Sequence, residues 1–175
     1  MMIGFSPLRT FKSAEDGATA VEFALVAPLL IFIFMAIIEV SLMFFASVNL
    51  EGAAIDAARR IRTGQTQVSG DPETDFTTAL CDKLDSMIDC DLVYYDSRTM
   101  ADYASISLTI EYDPDTGEPI TYGFDPGSSG DIIVVRTIYA WTISTPAISV
   151  FFETAPGTNK RMLSSTVVFK NEPYE

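Results

Sequence analysis

The chain has 175 residues, 24 acidic against 11 basic side chains, a formal charge of −13 and no histidine. That balance argues against nucleic acid as a partner, because phosphate binding draws on clustered Lys and Arg. With no Gly-x-Ser-x-Gly elbow and no phosphate loop ending in Gly-Lys-Ser/Thr, no catalytic residue, metal site or cofactor is expected.

Residues 1–16 are short and polar, with Arg9 and Lys12 as the only basic side chains, and lead to Gly17. From Phe23 onward an apolar run extends to Leu50, interrupted by a single ionisable residue, Glu39. About 20 apolar residues cross the hydrocarbon core, so a membrane span is predicted over about 23–45. A secretory signal peptide places its small-residue cleavage site after the apolar core. Here the small residue comes before it.

Glycine, four residues, glutamate, aromatic residue and apolar helix follow one another at Gly17, Ala18, Glu22 and Phe23. This order resembles the processing site of type IV pilin-like proteins, in particular the Tad (tight adherence) branch. Glu22-Phe-Ala-Leu-Val-Ala-Pro28, Asn49-Leu-Glu-Gly-Ala-Ala-Ile-Asp-Ala-Ala-Arg59 and Phe169-Lys-Asn-Glu-Pro-Tyr174 are together similar to the TadE/TadF minor pilin or pseudopilin family. The resemblance implies that a prepilin peptidase cuts between Gly17 and Ala18. Residues 1–17 would then be a leader, and the helix would stay on the mature protein. It also implies a role in pilus assembly or initiation and in surface adhesion, with the inner membrane, other pilin or pseudopilin subunits and the assembly platform as partners. Glu39 departs from the quoted pattern.

After cleavage Glu22 would lie about one helical turn from the new Ala18 ammonium, or beside that of a neighbouring subunit. A carboxylate in lipid is costly and marks a function or a partner, and the amine supplies one. The plainer alternative places Glu22 at the headgroups of an ordinary anchor. At the level of function, the competing reading is a membrane-anchored periplasmic binding or scaffold module that enters no fibre. A tethered carboxylate-pair hydrolase is a third reading to which no motif points.

The helix is expected to continue beyond the lipid, over 18–64, with Pro28 removing one backbone donor. Ala53, Ala54, Ala57 and Ala58 favour helix or permit close helix packing, and Gly64 is a terminator. About 120 residues then remain for one compact domain, 65–175, the usual size of a single core. Asp71 with Pro72 reads as a cap and first turn. Phe76, Leu80, Leu84 and Ile88 continue one apolar face.

Cys81 and Cys90, the only cysteines, could be unrelated buried thiols or two ligands of an incomplete metal site. An oxidising compartment favours a disulfide across the short loop. Basic residues lie on both sides of the span, Arg9 and Lys12 before it and Arg59, Arg60 and Arg62 after it, so they do not orient it. Processing and the cysteines put the amino terminus in the bacterial cytoplasm and the domain in the periplasm, as a single-pass inner-membrane protein.

Ile106, Leu108, Ile110 and Tyr112 alternate with polar residues, as do Ile120, Tyr122 and Phe124 beyond the turn at 113–117, which predicts a hairpin. The acids of that turn, Asp113, Asp115 and Glu118, do not fit a calcium loop. Residues 126–130 read as a loop, 132–141 as a central strand apolar on both faces, and 163–169 as a last strand. The stretch 146–152 reads either as a short helix or as a loop on the core or against lipid. The expected fold is α+β and pilin-like: a long amino-terminal helix followed by a small domain whose antiparallel β-sheet packs on the helix's outer half.

Overall fold

The computed structural model describes residues 16–175 except Asp85, Asp115, Pro146 and Glu175. Residues 1–15 of the expected leader, and Asp115 of the acidic turn, lie outside the described residues. The chain divides into a unit that ends at Ile38 and a unit that begins at Glu39. One helix, α1 (Asp16–Arg62), contributes to both and carries Pro28 inside it. Over 17–38 every residue is exposed except the half-buried Ala27 and Ala36. Apart from Glu22 and Thr19 near its start, this is the pattern of a helix apolar all round, consistent with a membrane span. It is the one helix among the described residues long and apolar enough to cross a membrane.

In the second unit α1 becomes amphipathic. Ala46, Leu50, Ala53, Ala54, Ala57, Ala58 and Ile61 are buried, at the three- and four-residue spacing of one helical face. The helix ends where expected: Gly64 adopts φ +80°, and the N–H groups of Gly64 and Gln65 donate to the carbonyls of Ile61 and Arg60 at 3.0 Å each.

Helix α2 (Pro72–Cys81) is capped by Asp71, whose carboxylate accepts from the Thr74 N–H. Its apolar spacing predicted a continuation through Leu84 and Ile88, and the structure corrects this. The turn tightens after Cys81, with Lys83 N–H donating to Leu80 O and Leu84 N–H to Cys81 O at 3.2 Å each. Cys81 and Cys90 are joined, with Cα atoms 5.6 Å apart. Nine more residues of helix would separate them by about 14 Å at 1.5 Å rise per residue, so the helix must stop.

Three strands, β1 (Val93–Met100), β2 (Ile132–Thr142) and β3 (Lys160–Lys170), form an antiparallel sheet in the order β1-β2-β3. The fold is α+β, with β2 central as its two-sided apolar pattern predicted. Alternation sends the odd residues of β2 to one face and the even residues to the other. Trp141, an odd residue, reaches Glu39 of α1, so the odd face packs on the helix. On that side Phe76 of α2, Tyr95 of β1 and Phe124 form an aromatic cluster with ring centroids 5.2–6.4 Å apart.

The even face carries buried charge. Asp96 sits opposite Arg136 in the ladder, and Arg98 Nε lies 3.4 Å from Asp96. Burial pushes the Asp96 carboxyl up, against the pull of Arg98 and Arg136. This face is covered by the 101–124 excursion rather than by water: Arg136 donates to the carbonyls of Ser107 (3.1 Å) and Thr109 (3.3 Å), and Arg98 stacks 4.3 Å from the Tyr122 ring centroid.

The predicted hairpin survives only at its turn. Residues 106–111 form no strand, but Tyr112 and Pro119 make an antiparallel bridge, the Asp113 N–H donates to Glu118 O (2.8 Å) and the Ile120 N–H to Glu111 O (2.9 Å), while Phe124 bridges instead to Ser97 of β1. The Ser107 and Thr109 carbonyls, on one side of an extended segment, are taken by the Arg136 guanidinium instead of a neighbouring strand. Strand β1, by contrast, was not expected. Its polar Asp96 and Arg98 give no clear apolar alternation, and only the covering segment makes their face an interior one.

Arg60 joins α1 to α2 through two charge-assisted hydrogen bonds to Asp75, which also accepts from the buried Thr66 hydroxyl at 2.9 Å. The Arg60 hydrogen bond chiefly holds the Asp75 carboxyl below its ordinary range, against a smaller opposing effect of burial. A depressed folded value stabilises above the unfolded carboxyl value and is lost as pH falls through the folded one. Hydrogen bonds to charged groups contribute about 1.5–3 kcal/mol, and Arg60 is partly solvated, so Asp75→Asn should cost about 1–2 kcal/mol at neutral pH. The deficit should shrink as pH falls from the ordinary carboxyl value of about 4, where the unfolded chain protonates, toward the lower native one. Melting temperatures of both proteins across that range check it, and a pH-independent deficit would contradict the ion pair.

Candidate functional site

The predicted processing residues occupy the first turns of α1. Gly17, Ala18, Glu22 and Phe23 are all exposed. Ala18 and Glu22, four residues apart in a helix, fall on the same side one turn apart. Nothing lies within 4 Å of where a Cβ on Gly17 would sit, and its backbone is helical. Packing and backbone geometry therefore place no demand for glycine at this position.

Glu39 is 7 % exposed at the start of the second unit. Its carboxylate accepts from Trp141 Nε1 (3.0 Å), Thr145 Oγ1 (3.1 Å) and the Ser144 N–H (3.4 Å). A lone carboxylate in an apolar helix needs donors, and here Trp141 at the end of β2 and Ser144 and Thr145 just after it supply them. The sequence exposed the acid but not its partners, which lie more than a hundred positions away in the chain.

The segment after β3 closes the far end of the same unit. The Glu172 N–H donates to Arg62 O at 2.8 Å, and Arg62 pairs with the Glu172 carboxylate at 3.3 Å. Asn171 Nδ2 donates to the carbonyls of Pro126 and Ser128 at 3.0 Å each. Tyr174 lies against Gly64, where an added Cβ would come within 2.4 Å of its ring. The 169–174 motif is thus a clasp on the end of α1. The Cys81–Cys90 bridge secures the turn between α2 and β1. Among the described residues no group of three or more acid or thiol side chains could hold a metal ion.

Beyond Glu39 one side of α1 remains uncovered. Phe45, Val48, Gly52 and Ile55, with Lys83, line an open groove of about 510 Å³.

A single helix long and apolar enough to cross a membrane, leading into an α+β domain with a buried acid at its start, is consistent with a single-pass membrane protein. Residues 17–59 match the family model described as TadE-like protein, so this segment is TadE-like, as the resemblance at its start implied. The match covers the exposed helix, Glu39 and all the buried alanines of α1, and leaves 60–175 outside it. No curated protein and no solved structure matches the chain.

Proposed function

We propose that this chain is a minor pilin or pseudopilin of a Tad-type pilus, structural rather than catalytic, that supports fibre assembly or initiation and surface adhesion. The TadE-like match over 17–59 carries the reading. It begins at Gly17, at the head of a helix whose residues 17–38 are exposed apart from the half-buried Ala27 and Ala36. A prepilin peptidase cuts between Gly17 and Ala18, the amino terminus faces the cytoplasm, and the domain is periplasmic, where its disulfide persists. The uncovered apolar side of α1 past Glu39 suits packing against other pilin subunits, with Gly52 allowing close approach.

Two substitutions test it. Because Gly17 meets no packing or backbone constraint, Gly17→Leu should leave the fold and its melting temperature unchanged, yet abolish removal of residues 1–17, read by intact mass of the membrane-purified protein. A wild-type protein that keeps its leader in piliated cells would defeat the assignment. Glu22→Ala makes the helix more apolar and should insert normally. It leaves the Ala18 ammonium without its partner, a truncation that commonly costs about 2–5 kcal/mol, so pili and surface attachment should fall sharply at equal membrane level. Normal piliation would favour a membrane-resident scaffold module instead.

A further inference from the structure

We propose that the 141–152 end of the domain is a lipid-binding face. In the membrane-resident protein Val150 and Phe151 enter the interfacial layer of an anionic bilayer, and Lys160 and Arg161 meet its phosphate headgroups. The inference rests on α1 being the membrane anchor and not on a role in a pilus.

Depth supports this first. Glu39 hydrogen-bonds Trp141 and Thr145, which holds this end of the domain at the level of residue 39. Later residues of α1 still present apolar surface: Phe44, five positions on, is 71 % exposed and Phe45 half exposed. Five residues rise about 7.5 Å along a helix, comparable to the depth at which interfacial segments bury their apolar faces. The apolar belt of α1 therefore overlaps the level of the 141–152 end.

The chemistry of that end is the second support. The short helix α3 (Ser149–Phe152) presents Val150 at 74 % and Phe151 at 82 % exposure, adjacent apolar side chains with no place in the core. Two cations stand beside them. Lys160 and Arg161 are exposed, pair across the ladder with Thr142 and Trp141, and Arg161 Nη1 donates to Phe152 O at 3.4 Å. In a chain with 24 acidic and 11 basic residues, two adjacent cations at an apolar tip complement anionic lipid. Glu153, the acid in this segment, is turned to the N–H groups of Gly157 and Asn159. An apolar tip, an indole and flanking cations are the usual makeup of an interfacial contact.

Trp141 is the only tryptophan and reports on the patch directly. The full chain is reconstituted into vesicles of phosphatidylglycerol and phosphatidylcholine, and flotation establishes that the anchor has inserted. Phosphatidylcholine brominated near the headgroup end of its acyl chains should then reduce Trp141 emission about two-fold or more, as expected for a ring at the interface. Val150→Asp with Phe151→Asp, both exposed sites, should abolish most of that quenching while near-ultraviolet circular dichroism stays unchanged. Lys160→Gln with Arg161→Gln should make quenching equal in anionic and neutral vesicles. Undiminished emission from inserted wild-type protein would overturn the proposal, as would quenching indifferent to the Asp pair, and equal wild-type quenching in both vesicle types would overturn the headgroup contact.

Discussion

Replacing Glu39 with alanine should lower the stability of the second unit by about 2–4 kcal/mol. The carboxylate accepts three hydrogen bonds, and each donor stranded away from water costs about 1–3 kcal/mol. Trp141 is only half-buried and recovers part of its loss from solvent. Membrane insertion should be unaffected, because the helix becomes more apolar. Glu39→Gln keeps one acceptor oxygen and should fall between wild type and alanine. Thermal unfolding in detergent followed by Trp141 emission measures both. An unchanged midpoint in Glu39→Ala would mean that the end of β2 is held to α1 by apolar contact alone.

Gly64→Ala should cost about 2–4 kcal/mol, partly from backbone strain and partly from collision. At φ +80° a side chain incurs about 1–2 kcal/mol of left-handed strain. The new Cβ also meets Tyr174 at 2.4 Å, forcing the ring from its place and away from Gly127 O, to which its hydroxyl donates at 3.3 Å. The two contributions separate in a double-mutant cycle. In a Tyr174→Ala background Gly64→Ala should keep the strain and lose the collision, so its cost falls by about half. Equal costs in both backgrounds would show that Tyr174 does not dock on the end of α1.

Where local chemistry dictates conformation, the sequence was legible. Gly64 ended α1 because a left-handed residue closes a helix. Asp71 and Pro72 started α2 because one supplies a cap acceptor and the other lacks only an N–H that the first turn does not use. The two-sided apolar run at 132–141 could be satisfied only in the middle of a sheet. The errors share one origin, namely that which face is covered is not a local property. Leu84 and Ile88 kept helical spacing, yet the tie between Cys81 and Cys90 turned the chain back. Residues 106–111 alternated as a half-buried strand does, yet Leu108 is exposed and the carbonyls went to Arg136.

The sequence by itself determined that the protein has one long apolar helix with a single acid at Glu39, a glycine and a glutamate at the helix head, and a following α+β domain in which two cysteines favour a disulfide. Each of these follows from side-chain chemistry and spacing within a few turns of chain. Tertiary structure alone decided that Glu39 is satisfied by Trp141 and Thr145, that Asp96, Arg98 and Arg136 are interior, and that the 169–174 motif clasps the end of α1. Those outcomes depend on residues far apart in the chain meeting across the sheet, and a buried polar group is satisfied by whichever donor or acceptor the fold brings to it.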